Sequence, residues 1–85
     1  MLVFQYSNGY RLRFYVEPDK EGTSQLKGQW LLPNGKPNHQ SLWIDRQEAP
    51  AILQHVLAWL QGEAQHSDVT IHLGDPAPGQ TPPTT

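Results

Sequence analysis

The 85-residue chain contains no cysteine, which excludes disulfides and thiolate metal sites together. It has no Lys or Arg beyond Arg46, so residues 47–85 carry only Glu48, Glu63, Asp68 and Asp75, a local charge of −4. Residues 1–46 hold all six basic groups against four acidic ones, a balance of +2. Nucleic-acid binders draw most of their non-specific affinity from phosphate neutralisation, so this small excess permits such binding without arguing for it. Long apolar runs are missing too. The most apolar stretch, Ala49 to Leu60, is broken by Gln54 and His55 and is too short to span a membrane. Met1–Tyr6 shows no basic leader, signal-peptide core or cleavage site. The expectation is a soluble, cytoplasmic protein with no membrane partner.

Signals for catalysis are equally scarce. None of Ser7, Ser24, Ser41 and Ser67 lies in a Gly-x-Ser-x-Gly elbow. Ser41, His55 and Asp45 supply the residue types of a triad, a combination that most chains contain by chance. His39, His55, His66 and His72 include no i, i+4 pair that would put two ligands on one helix face. His66, His72 and Asp68 read as ordinary surface groups. Glu17, Asp19 and Glu21 lack the spacing and the distal bidentate Glu of a calcium loop. No enzyme, no cofactor and no metal are expected.

Eighty-five residues make one domain, whose core buries only roughly 60% of the unfolded surface. Domains this small commonly gain stability from disulfides, metals or association. With the first two removed, the expected partner is another protein or a second copy of the chain.

Two apolar runs, Leu2–Tyr6 and Tyr10–Val16, flank Ser7-Asn8-Gly9, a hairpin signal. A two-residue turn would pair Tyr6 with Arg11. A three-residue loop with Gly9 in the left-handed region instead pairs Tyr6 with Tyr10, Phe4 with Leu12 and Leu2 with Phe14. This register gathers the large apolar groups on one face and leaves Val3, Gln5, Arg11, Arg13 and Tyr15 on the other, so it is the one expected. Glu17–Ser24 reads as a flexible loop, and Gln25–Leu32 as a third strand ended by Pro33-Asn34-Gly35. Ser41–Ile44 reads as a short fourth strand, with Lys36–Gln40 either its extension or an open loop. Asp45 and Glu48 have capping-box spacing, and a helix follows from about Pro50 to Gln61, stopped by Gly62. Its stripe is Ile52, Leu53, Val56, Leu57, Trp59 and Leu60, with His55 at its flank as a partly buried group hydrogen-bonded to the sheet. Asp68–Leu73 alternates as an edge strand. The fold class is α+β: a small antiparallel sheet of four to five strands in the order β-β-β-β-α-β, with one helix on one face. The domain is residues 1–73, and residues 74–85 form a disordered Pro/Thr-rich tail.

The residues expected to bind a partner are Arg11, Arg13, Tyr15, Lys27, Trp30, Lys36 and Trp43. Arginines beside an aromatic on a sheet anchor protein interfaces or stack nucleotide bases. The leading expectation is a non-catalytic protein-binding accessory or regulatory domain, a subunit of a larger assembly or a homodimer. The alternative is single-stranded nucleic-acid binding across the sheet. Gly35-Lys36-Pro37, Ser41–Ile44 and the helix entry at Asp45 to Pro50 together resemble the last hairpin and helix of the Whirly and positive-coactivator group of single-stranded-DNA-binding proteins. That resemblance implies four antiparallel strands, a following helix, dimerisation, phosphate contacts from Arg11, Arg13, Lys27 and Lys36, and stacking by Tyr15 or Trp30.

Overall fold

The computed structural model describes residues 1–39, 42–62 and 67–77. It has four strands and one helix in the order β1 (Leu2–Gln5), β2 (Arg11–Pro18), β3 (Ser24–Leu31), α1 (Ala49–Gln61) and β4 (Val69–His72). They form a single sheet ordered β3-β2-β1-β4. The α+β class is as expected, but the sheet is mixed rather than antiparallel, because β4 runs parallel to β1. The chain returns from α1 over the sheet and re-enters beside the first strand, and such a crossover delivers a parallel strand.

The β1–β2 register is the expected one, with Leu2 opposite Phe14 and Phe4 opposite Leu12. Gly9 sits at φ +92°, and the Tyr6 and Tyr10 main chains close the three-residue loop at 2.9 Å. A side chain at position 9 would strain this left-handed backbone. The expected flexible loop at 17–24 is shorter than the sequence suggested. β2 runs on to Pro18 and β3 begins at Ser24. The residual turn is tied by the Asp19 carboxylate, which accepts hydrogen bonds from the Glu21 and Thr23 N–H groups and the Thr23 hydroxyl. These bonds, that from Thr23 first, hold the Asp19 carboxyl below its usual pKa.

The core lies between the sheet and α1. Leu2, Phe4, Tyr6, Tyr10, Leu12, Phe14 and Trp30 bury against Ile52, Val56 and Trp59. Phe4 meets Phe14 edge-on at 6.1 Å, one of the arrangements that the ring quadrupole favours. Gly28 lies beneath these rings: a Cβ there would come within 2.9 Å of Phe14 and 2.7 Å of the Leu42 side chain. Of the expected helical stripe, Leu53 and Leu57 are not buried but 54% exposed each. Ile52, Val56 and Trp59 point straight down at i, i+4 and i+7, and one flat sheet face reaches only that arc of a helix.

Two further expectations are corrected. Among the described residues no fourth antiparallel strand forms: Leu42, Trp43 and Ile44 have no regular structure. Trp43 lies over Trp30 at 5.5 Å, and the Trp30 Nε1–H donates to the Trp43 carbonyl at 2.9 Å, so this segment packs on the core face instead of lengthening the sheet. Ser41 is outside the described residues. Lys36 and Pro37 continue the β3 hairpin only as a single bridge between Leu31 and Pro37. The capping box does not close either. Glu48 is the N-cap without a side-chain cap bond, Asp45 accepts from the Gln47 N–H at 3.1 Å, and Glu48 accepts from the Tyr6 hydroxyl at 3.0 Å. Burial, seconded by Glu48, pushes the Tyr6 phenol well above its usual pKa.

Past β4 the ordered contacts continue further than the expected domain end at 73. The Ser7 N–H donates to the Asp75 carbonyl, and Ala77 is buried with its N–H on the Asn8 carboxamide. Residues 78–85 lie outside the described residues.

Candidate functional site

Alternation along a strand puts successive side chains on opposite faces. The registers therefore build a second sheet face, away from α1, in cross-strand rows. Thr70, Val3, Arg13 and Gln29 form one row, and His72, Gln5, Arg11 and Leu31 the next. On the other side of the Arg13 row come Tyr15 and Lys27, then Glu17 and Gln25. No helix among the described residues covers this face. Its long polar side chains lie across it: Arg11 Nε donates to the Gln5 carboxamide at 2.7 Å, and Arg13 donates to the Gln29 carboxamide. The Arg13 guanidinium sits 5.2 Å from the centre of the Tyr15 ring, within cation–π range. Arg13 Nε is buried without a hydrogen-bond partner. Lys27 pairs with Glu17 at 3.0 Å, and that carboxylate raises the lysine's pKa. Both groups are about half exposed, so the pair contributes little stability.

Of the seven expected binding residues, this face unites Arg11, Arg13, Tyr15 and Lys27 and leaves out three. Trp30 pairs with Leu12, which puts it on the helix side, where it is buried. Trp43 goes with it as a half-buried lid. Lys36 is exposed in the turn after β3, beside Gly35 at φ +85°. Gln5, Gln29 and Val3, which the sequence reading did not single out, belong to the face. Their signal was present for Val3 and Gln5, which share the arginines' side in the hairpin register.

The remaining chemistry-bearing residues stand apart. His55, expected to be partly buried, is exposed and does not hydrogen-bond the sheet; its ring meets that of Phe4 edge to face at 5.8 Å. His39 and His72 are exposed, and His66 lies outside the described residues. Among the described residues no three His, Cys, Asp or Glu side chains gather as metal ligands. A cleft of about 610 Å³ on the helix side is lined mainly by Val16, Pro18, Leu26, Trp59 and Leu60. Met1, Tyr15 and Ser24 complete its lining, and among the described residues no His, Asp, Glu or Lys side chain joins them. No helix among the described residues is long and apolar enough to cross a membrane.

The Whirly-like arrangement requires four antiparallel strands ahead of the helix, whereas three precede α1 here and the fourth is parallel. Comparison with known proteins adds no further likeness: no protein-family model, no curated protein and no solved structure matches this chain.

Proposed function

We propose that the protein is a non-catalytic binding module that docks another protein on its uncovered sheet face. The observation that carries this reading is the row structure of that face. Arg11, Arg13, Tyr15 and Lys27 converge there with Gln5 and Gln29, and the two arginines are already held by carboxamides and an aromatic ring. Arg and Tyr dominate protein-interface hot spots, and side chains fixed before docking lose less entropy on binding. The matching partner surface presents carboxylates opposite Arg11 and Arg13 and an apolar contact for Tyr15.

Nucleic acid is the less favoured ligand. Lys27 is committed to Glu17, and Trp30, the expected stacking group, faces the core. A strand-binding sheet needs exposed rings and an uncompensated basic groove.

The experiment is a pull-down from nuclease-treated native lysate with the wild-type chain and an Arg11→Ser/Tyr15→Ala variant. The expected result is a stoichiometric protein retained by the wild type and lost from the variant. Retention by both, or co-elution that disappears with nuclease and returns with nucleic acid, overturns the reading.

A further inference from the structure

Two strand edges bound the sheet, and the chain treats them differently. At β3 the outward-facing Trp30 carbonyl accepts from the Asn38 N–H at 2.9 Å, and the Leu32 N–H donates to the Lys36 carbonyl at 2.8 Å. That edge is partly occupied by the chain itself and carries Lys27, the kind of charge that guards edges. At β4 no described residue pairs with the outer edge. The Val69 N–H donates to the Met1 carbonyl and the Leu73 N–H to the Gln5 carbonyl. Main-chain groups alternate in direction along a strand, so those of Thr70 and His72 turn outward. Among the described residues no lysine, proline or bulge guards them.

The side chains of this edge are self-complementary. Val69-Thr70-Ile71-His72-Leu73 has the same alternation read from either end. Val69, Ile71 and Leu73 lie on the helix side, where they are half-buried rather than buried. With Leu2, His55, Ala58 and Trp59, the first two line an open apolar groove of about 220 Å³ between β4 and α1.

We infer that the β4 edge pairs antiparallel with that of a second copy, about a twofold axis at Ile71. Thr70 of one copy then exchanges main-chain hydrogen bonds with His72 of the other. Ile71 faces Ile71, and Val69 faces Leu73, so every helix-side pair is apolar, and no ionised side chains of like sign stand opposite each other between residues 69 and 73. A one-residue slip would set apolar groups against Thr70 and His72 and is excluded; of the registers that keep the alternation, the one centred on Ile71 pairs all five residues 69–73. Each α1 lies on the same side of the joined sheet. Ala51, His55 and Ala58 fall on one stripe of α1 at i, i+4 and i+7, and the small alanines leave room for the helix across the axis. Pairing closes the groove, completes the small core and gives an eight-stranded sheet. Its uncovered side presents two copies of the arginine–tyrosine surface.

The test uses the full chain. Sedimentation through the micromolar range is expected to give twice the monomer mass. Thr70→Pro removes an N–H that points away from β1, so it spares the internal ladder and is expected to halve the mass with an unchanged far-ultraviolet spectrum. Because the chain has no cysteine, Ile71→Cys provides an independent readout: on oxidation it is expected to form a covalent dimer. Leu57→Cys, on the opposite flank of α1, is expected not to. A monomeric wild type, a dimer that survives Thr70→Pro, or equal crosslinking at positions 57 and 71 overturns the inference. If Thr70→Pro fails to fold, the crosslinking pair decides.

Discussion

Strand β2 serves two surfaces with one stretch of chain. Leu12 and Phe14 point under α1 and are buried; Arg11, Arg13 and Tyr15 point the other way, exposed or half-exposed. On the first side the geometry is set by shape: rings meet edge to face, and Gly28 is the only residue type that fits beneath Phe14 and Leu42. On the second it is set by polar pairing, arginine to carboxamide and lysine to carboxylate. The same backbone thus carries one face that stability depends on and one that is free to be a recognition surface.

Mutations break this comparison in a graded series. Phe14→Ala and Phe4→Ala, both on the covered face, are expected to cost about 3–5 kcal/mol each by chemical denaturation. A loss below about 0.5 kcal/mol, the range of ordinary surface changes, would mean that the two faces are assigned the wrong way round. Gly28→Ala is expected to cost about 1–3 kcal/mol, because the added methyl drives into Phe14 and Leu42. Tyr6→Phe removes the bond to Glu48 and is expected to cost about 1 kcal/mol at neutral pH. That variant also sharpens the comparison through pH. The folded state raises the Tyr6 pKa, so its contribution is complete below the ordinary value of 10.0 and is lost as pH climbs from there through the raised value. The wild type should therefore lose stability more steeply than Tyr6→Phe above that point, and parallel curves would count against the assignment. Smallest is Arg11→Ala. It is expected to leave stability within about 0.5 kcal/mol of wild type while weakening capture of the proposed protein partner. A variant that binds normally would remove Arg11 from the recognition surface.

Much of the fold could be read from local pattern. The first hairpin was legible because only one register gathers Leu2, Phe4, Leu12 and Phe14, and Asn8-Gly9 supplies the turn that this register needs. The arginine–tyrosine cluster followed from the same register. Trp30 was misassigned because the long stretch between the second and third strands left their register open. Once β2 reaches Pro18 and pairs with Ser24, parity puts Trp30 opposite Leu12 on the covered side. Leu42-Trp43-Ile44 is an apolar run without alternation, and such runs do not distinguish a strand from a segment packed flat on a core. The Trp30–Trp43 stack and the indole bond to the Trp43 carbonyl settle it, and both are tertiary. Glu48 has capping-box spacing but a better partner in Tyr6, 42 residues away. The parallel placement of β4 beside β1 carries no local signal, since it depends on where α1 delivers the chain. Exposure of Leu53 and Leu57 is likewise decided by the width of the sheet rather than by the helix sequence.

The position of β1 has a consequence for how the chain folds. It is the first strand made, yet one of its two neighbours is the last: β2 follows within a few residues, whereas β4 arrives only with residues 69–72. During synthesis the hairpin can form early, because it closes a short loop, but the far side of β1 stays open until nearly the whole chain has emerged. Closing it is the slow, non-local step. Until then an interior strand of the finished sheet behaves as an edge, open to capture by another chain, and crowded refolding is where exchanged or aggregated species should arise.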